Sequence, residues 1–81
     1  MTIRTLFFAS YRDVAGTDQL DVELTGAARV YDLVASLRGR GGSWTGLPEQ
    51  PVVAVNLEYA SLSTALRDGD EVAFIPPVSG G

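Results

Sequence analysis

Only one stretch of this chain carries a sustained helical period. Val30, Leu33, Val34 and Leu37 recur at helical spacing, which predicts a helix over Arg29–Arg38. Strand-like alternation lies on both sides of it. Ile3–Ala9 puts Ile3, Thr5 and Phe7 on one face and Arg4, Leu6 and Phe8 on the other. Leu20, Val22 and Leu24 alternate with Asp21 and Glu23, predicting a strand paired antiparallel with the first as a broad hairpin. Val52–Leu57 is the most apolar run and predicts a central strand. Glu71–Ile75 gives the last strand, with Val72 and Phe74 inward. A chain of 81 residues forms one domain. Such a domain buries only about 60–65% of its unfolded surface, so all these elements share one small core.

The segments between them read less sharply. Ser10–Ala15 predicts a short helical turn stopped at Gly16. Ala27-Ala28-Arg29 offers no Ser, Thr, Asp or Asn where a helix cap is expected, so the main helix starts weakly. Gly39 supplies its C-cap, and Arg38 and Arg40 suit the negative end of its dipole. Gly39–Pro51 reads as a loop, with Trp44 a satellite packing residue beneath it. Glu58-Tyr59-Ala60 reads as a short edge piece, and Leu62–Leu66 is ambiguous. Arg67-Asp68-Gly69-Asp70 is a strong turn signal. Strand, strand, helix, strand, small elements and strand describe an α+β fold of the β-grasp (ubiquitin-like) kind. One main helix packs across a mixed sheet of four or five strands. Residues 1–75 form that domain and residues 76–81 a flexible C-terminal diglycine tail.

Composition then removes whole classes of chemistry. The chain has no Cys and no His, and all six of its cations are Arg. Disulfides, thiolate nucleophiles, structural zinc and Ser–His–Asp catalysis are excluded. Without Lys there is no Schiff base and no P-loop lysine. Asp68 and Asp70 suggest half of a calcium loop, but no further ligand follows, and a tight turn is the better reading. Gly39–Ser43 follows a helix rather than preceding one, so it is a cap and loop, not a phosphate cradle. No metal or cofactor is expected on the chain. The net charge of −4 argues against nucleic-acid binding and suits a basic partner. No apolar run approaches a bilayer span, and the start lacks a signal-peptide layout, so no membrane role and a cytoplasmic location are expected.

Two features remain as candidate sites. The first is the ending Pro76-Pro77-Val78-Ser79-Gly80-Gly81. Glycine has no Cβ, so a diglycine end can thread a tunnel that a side chain would block. The two prolines hold the exit from the sheet extended. A terminal carboxylate, once activated as an acyl-adenylate, can accept sulfur or an amine. The bland alternative is a frayed terminus. The second feature is the sheet face away from the helix, where alternation puts Leu6 and Phe8 beside Ala73 and Ile75, with Tyr59 near them. Exposed apolar clusters mark partner surfaces. A register slip of one residue would reverse that facing.

The residues that carry these features also carry a likeness. Leu6-Phe7-Phe8-Ala9 with Arg12 and Val14-Ala15-Gly16-Thr17, then Val55-Asn56, then Leu66 through Gly81 resemble the MoaD/ThiS sulfur-carrier family, which includes the small subunit of molybdopterin synthase. The likeness covers nearly the whole chain, and Asp-Gly-Asp-Glu-Val running into Pro-Pro-Val-Ser-Gly-Gly is its most specific part. The glycine-rich loop, the weak helix start and the lack of Lys depart from the family pattern.

The resemblance implies that a ubiquitin-activating-type adenylating enzyme uses ATP to activate Gly81. A sulfurtransferase then makes the thiocarboxylate, and Gly80 lets the backbone pass. The tail, positioned by Pro76, Pro77, Val78 and Ser79, enters the large subunit of a heterotetramer and gives sulfur to cyclic pyranopterin monophosphate. Phe8, Tyr59 and Ile75 would dock the partner. The chain would not be catalytic alone. The alternatives are sulfur carriage for thiamine thiazole, cysteine or tRNA thiolation, a ubiquitin-like protein modifier, and a plain interaction module with an inert tail.

Overall fold

The computed structural model describes residues 1–77. Its elements are β1 (Thr2–Phe7), α1 (Ser10–Ala15), β2 (Gln19–Glu23), α2 (Val30–Arg38), a 3-10 turn (Gly42–Gly46), β3 (Val52–Val55), β4 (Glu58–Ala60) and β5 (Glu71–Ile75). The sheet has five strands in the order β2-β1-β5-β3-β4. β1 pairs antiparallel with β2 and parallel with β5. β3 runs antiparallel to both β5 and β4. This is the mixed sheet of the β-grasp fold, with α2 packed across one face.

The expected facing holds in β1. Ile3, Thr5 and Phe7 are buried with Val22, Val53, Val72 and Phe74, against Val30, Leu33, Val34 and Leu37 of α2. Phe7 stacks on Phe74 at 5.6 Å between ring centroids and meets Trp44 edge-on at 5.5 Å. Trp44 therefore packs as expected, and Arg40 sits over its ring at 5.4 Å from the centroid. Part of the expected Gly39–Pro51 loop is the 3-10 turn that carries Trp44 to this position.

Three expectations change. β1 ends at Phe7, not Ala9, because Ala9 turns to φ 47° and leads the chain into α1. β3 is interior, but β5 is the middle strand, and β3 stops at Val55. Asn56 and Leu57 take φ 50° and 73° and make a tight hairpin turn into β4, which holds the edge as expected. The start of α2 is not weak. Asp32 Oδ2 accepts from the Arg29 backbone N–H at 2.8 Å, and the N–H groups of Val30 and Tyr31 donate to the carbonyls of Thr64 and Leu62. The ambiguous Leu62–Leu66 segment thus supplies the acceptors that a capping side chain would.

Tyr11 of α1 lies in the core at 7% exposure. Burial raises its phenol above the ordinary 10.0. The neutral phenol is favoured in the folded chain, so its contribution is whole below about pH 10 and is lost as pH rises further. Urea midpoints measured from about pH 9 to pH 11 should fall, and Tyr11→Phe should flatten that decline.

Candidate functional site

Among the described residues, the far side of the sheet carries no helix. Register assigns its side chains directly, because β-strand side chains alternate. Leu6 pairs with Ala73, Ala73 with Ala54, and Ala54 with Tyr59. These four form one lateral row across β1, β5, β3 and β4. Neighbouring strands lie about 4.8 Å apart, so the row is about 14 Å wide. Its two central members are alanines, which leave a shallow trough between Leu6 and Tyr59.

A second row lies one step along the strands. Val52 pairs with Ile75. Phe8 follows the end of β1 and lines a hollow of about 280 Å³ with Leu6, Arg12, Asp18 and Gln19. Phe8 is 50% exposed, Val52 54% and Tyr59 78%. The structure therefore brings Tyr59, Ile75 and Phe8 onto one connected outer surface.

The surface is graded from end to end. Beyond the Leu6 row, away from Ile75, the outward residues of β1 and β5 are polar, and Leu57 in the β3–β4 turn is exposed. Arg4 stands opposite Glu71, with 4.0 Å between charged atoms. Gln19, Asp21 and Glu23 of β2 form an acidic border beside Leu6, Arg4 and Thr2. The apolar half is the half from which the chain leaves the sheet. Pro76 and Pro77 follow Ile75 directly and lie outside any strand. The expected tail residues Val78, Ser79, Gly80 and Gly81 lie outside the described residues.

The opposite end of the sheet is fastened by hydrogen bonds. Asp68 Oδ1 accepts from the Thr2 N–H at 2.7 Å, and Asp70 Oδ2 from the Arg67 N–H at 2.8 Å. Asn56 donates through Nδ2 to Asp70 at 2.9 Å and accepts from the Glu71 N–H at 3.0 Å. Gly69 takes φ 86° at the turn, a conformation open to glycine at little cost. Asp68 and Asp70 are thus turn residues, and no group of three or more metal-ligating side chains occurs among the described residues.

Val52 and Ala54 belong to the outer surface but were not singled out by sequence. Val52-Val53-Ala54-Val55 is continuously apolar, so alternation could not show which residues face out. That continuity was itself a signal, since strands covered on both faces read as unbroken apolar runs. Here α2 covers one face and nothing in the described chain covers the other.

The chain matches the ThiS family over residues 5–81. It belongs to that family. It is 41% identical over 83 residues to the molybdopterin synthase sulfur carrier subunit of Chlamydomonas reinhardtii, covering 100% of both chains. It is 39% identical to the subunit of the same name from Escherichia coli, covering 98% of this chain and 99% of that one. Among solved structures, SAMP1 from Haloferax volcanii superposes with a TM-score of 0.85 at 32% identity, covering 100% of each chain.

Tyr59 contributes to a surface and not to the core. Tyr59→Ala should change unfolding free energy by no more than about 0.5 kcal/mol in urea titrations.

Proposed function

We propose that this chain is the sulfur carrier subunit of a molybdopterin synthase. One observation carries the reading. An apolar outer face, covered by none of the described residues, lies at the end of the sheet where β5 passes into Pro76 and Pro77. A partner that covered this face would receive the tail at a fixed place. The relatives named as molybdopterin synthase sulfur carrier subunits support the same reading.

The chemistry follows from the tail and the composition. The Gly81 carboxylate attacks the α-phosphorus of ATP on a ubiquitin-activating-type enzyme, and pyrophosphate leaves. Sulfur supplied at the sulfide level then forms a bond to the acyl carbon, AMP leaves, and a thiocarboxylate remains. A chain without Cys has no side chain to hold a persulfide, so its carboxylate is the group suited to carry sulfur. Gly80 presents no side chain to a narrow channel. Within the large subunit the thiocarboxylate sulfur bonds to cyclic pyranopterin monophosphate, and water then cleaves the acyl C–S bond and restores the Gly81 carboxylate. Phe8, Tyr59 and Ile75, with Val52 and Leu6, dock that subunit. The protein binds no cofactor itself, is not catalytic alone, and acts in the cytoplasm.

A second reading shares the adenylate and differs in the acceptor. The likeness to SAMP1, the small archaeal modifier protein 1 of Haloferax volcanii, favours a protein modifier joined through Gly81 to target lysines. Conjugates of higher mass in a lysate would support it.

The deciding measurement is intact mass after incubation with ATP, the activating enzyme and a sulfur donor. One oxygen-to-sulfur exchange located on Gly81 is expected. Deleting Gly81, or adding a residue after it, should abolish transfer and leave the urea midpoint unchanged. Phe8→Glu should weaken large-subunit binding by roughly tenfold or more, the loss expected when a buried apolar anchor becomes a charge. Unchanged affinity would remove Phe8 from the docking surface.

A further inference from the structure

An activated carboxylate is attacked by whatever nucleophile meets it first, and the carrier's own surface is always present. Amines and thiols are the protein groups that react with acyl-adenylates without further activation. This sequence has no Cys, no Lys and no His. Its six cations are arginines, and a guanidinium stays protonated and does not act as a nucleophile.

Several of the arginines have contacts suited to a planar group. Arg29 donates to the Ser63 carbonyl at 2.6 Å, and Arg38 to the Leu47 carbonyl at 2.8 Å. Arg40 lies over Trp44. Arg67 is exposed on the Arg67–Asp70 turn, with its backbone N–H held by Asp70. A lysine there would keep the charge, so nothing seen at this position demands a guanidinium.

The remaining nucleophiles are held or weak. The Met1 amine is half-buried and donates to the Leu24 carbonyl at 2.7 Å, while the Leu24 N–H returns a bond to the Met1 carbonyl at 2.9 Å. It lies at the start of β1. β5 runs parallel to β1, so the same chain's tail leaves from the opposite end of the sheet, and against a second copy the amine is guarded by its burial and its bond to Leu24. Hydroxyls need an adjacent base to attack, and the usual one, His, is absent. Ser43, Thr17 and Thr45 donate to the backbone carbonyls of Val14, Gln19 and Gly42. Thr2 does meet a carboxylate, that of Glu23, but at the Met1 end of the sheet.

We infer that this chain is a self-inert acyl carrier: its side chains offer no amine or thiol to compete for its own activated terminus, and its Met1 amine is half-buried and hydrogen-bonded. The inference rests on the carrier reading above. The adenylate carbon is then open only to nucleophiles from outside the chain. A donor's sulfur forms the new C–S bond, and the bond to AMP breaks. In a chain bearing lysine, the amine could form a C–N bond with a second copy, lose a proton and release the same AMP. That product would be a dead chain–chain isopeptide.

The test uses the full chain, its activating enzyme and ATP, with no sulfur donor, at a concentration high enough for copies to meet. A parallel reaction contains hydroxylamine, a small external nucleophile. Wild-type protein should give the C-terminal hydroxamate with hydroxylamine and no chain–chain adduct without it. Arg67→Lys keeps the charge and adds an exposed amine. Gln50→Lys adds one in the exposed segment before β3, near the tail exit. Each variant should give a species of twice the chain mass less one water, with the crosslink mapped by fragmentation to the new lysine.

A wild-type adduct, at Met1 or at a hydroxyl, would overturn the inference. Lysine variants that make the hydroxamate but no adduct would overturn it too, since an added amine would then have no effect. No hydroxamate from any chain, with the enzyme active on another carrier, would instead overturn the carrier reading and the inference with it. Urea midpoints matching wild type separate a reactive lysine from a misfolded variant.

Discussion

The first and last strands lie side by side and parallel, and the rest of the molecule is arranged around that pair. β5 is the middle strand, bonded on one side to β1 and on the other to β3. Its register is set at one end by the Arg67–Asp70 turn. That turn accepts from the Thr2 N–H through Asp68, donates through the Gly69 N–H to the Thr2 carbonyl, and accepts from the Arg4 N–H through the Asp70 carbonyl. A slip of one residue would move Val72 and Phe74 out of the core and Ala73 and Ile75 into it. The same bonds therefore fix the packing against α2 and the makeup of the outer face.

This arrangement divides the sheet between two tasks. One end holds the polar fasteners, Asn56, Asp68 and Asp70, whose side chains are occupied by backbone and amide partners. The other end holds the apolar outer residues and releases the tail. Asn56, Asp68 and Asp70 are among the residues that carried the resemblance to the sulfur carriers, and in the fold they position strands. The residues proposed to act on a partner lie in the second.

Much of this was legible beforehand because it followed from periodicity. Val30, Leu33, Val34 and Leu37 are all buried, and so are Ile3, Thr5 and Phe7. The gaps have physical causes. Phe8 continues an apolar run, so nothing local showed that Ala9 would turn to positive φ and end the strand. Val52–Val55 has no polar member to show its facing. The start of α2 looked uncapped because its acceptors come from Leu62 and Thr64, over 30 residues away. Phe8 and Ile75 were placed from alternation alone, and the outer surface gained Val52 and Ala54 only once the neighbours of β5 were known.

The middle position of β5 has a consequence for how the protein is made. β1 and β3 cannot be joined until β5 lies between them, and β5 is the last strand synthesised. Pairing residues so distant in sequence is slow compared with local structure, so the sheet closes late. A nascent or truncated chain has neither the outer face nor an anchored exit for the tail. An enzyme that recognises both would pass over unfinished copies, and activation would be reserved for chains that have completed their fold.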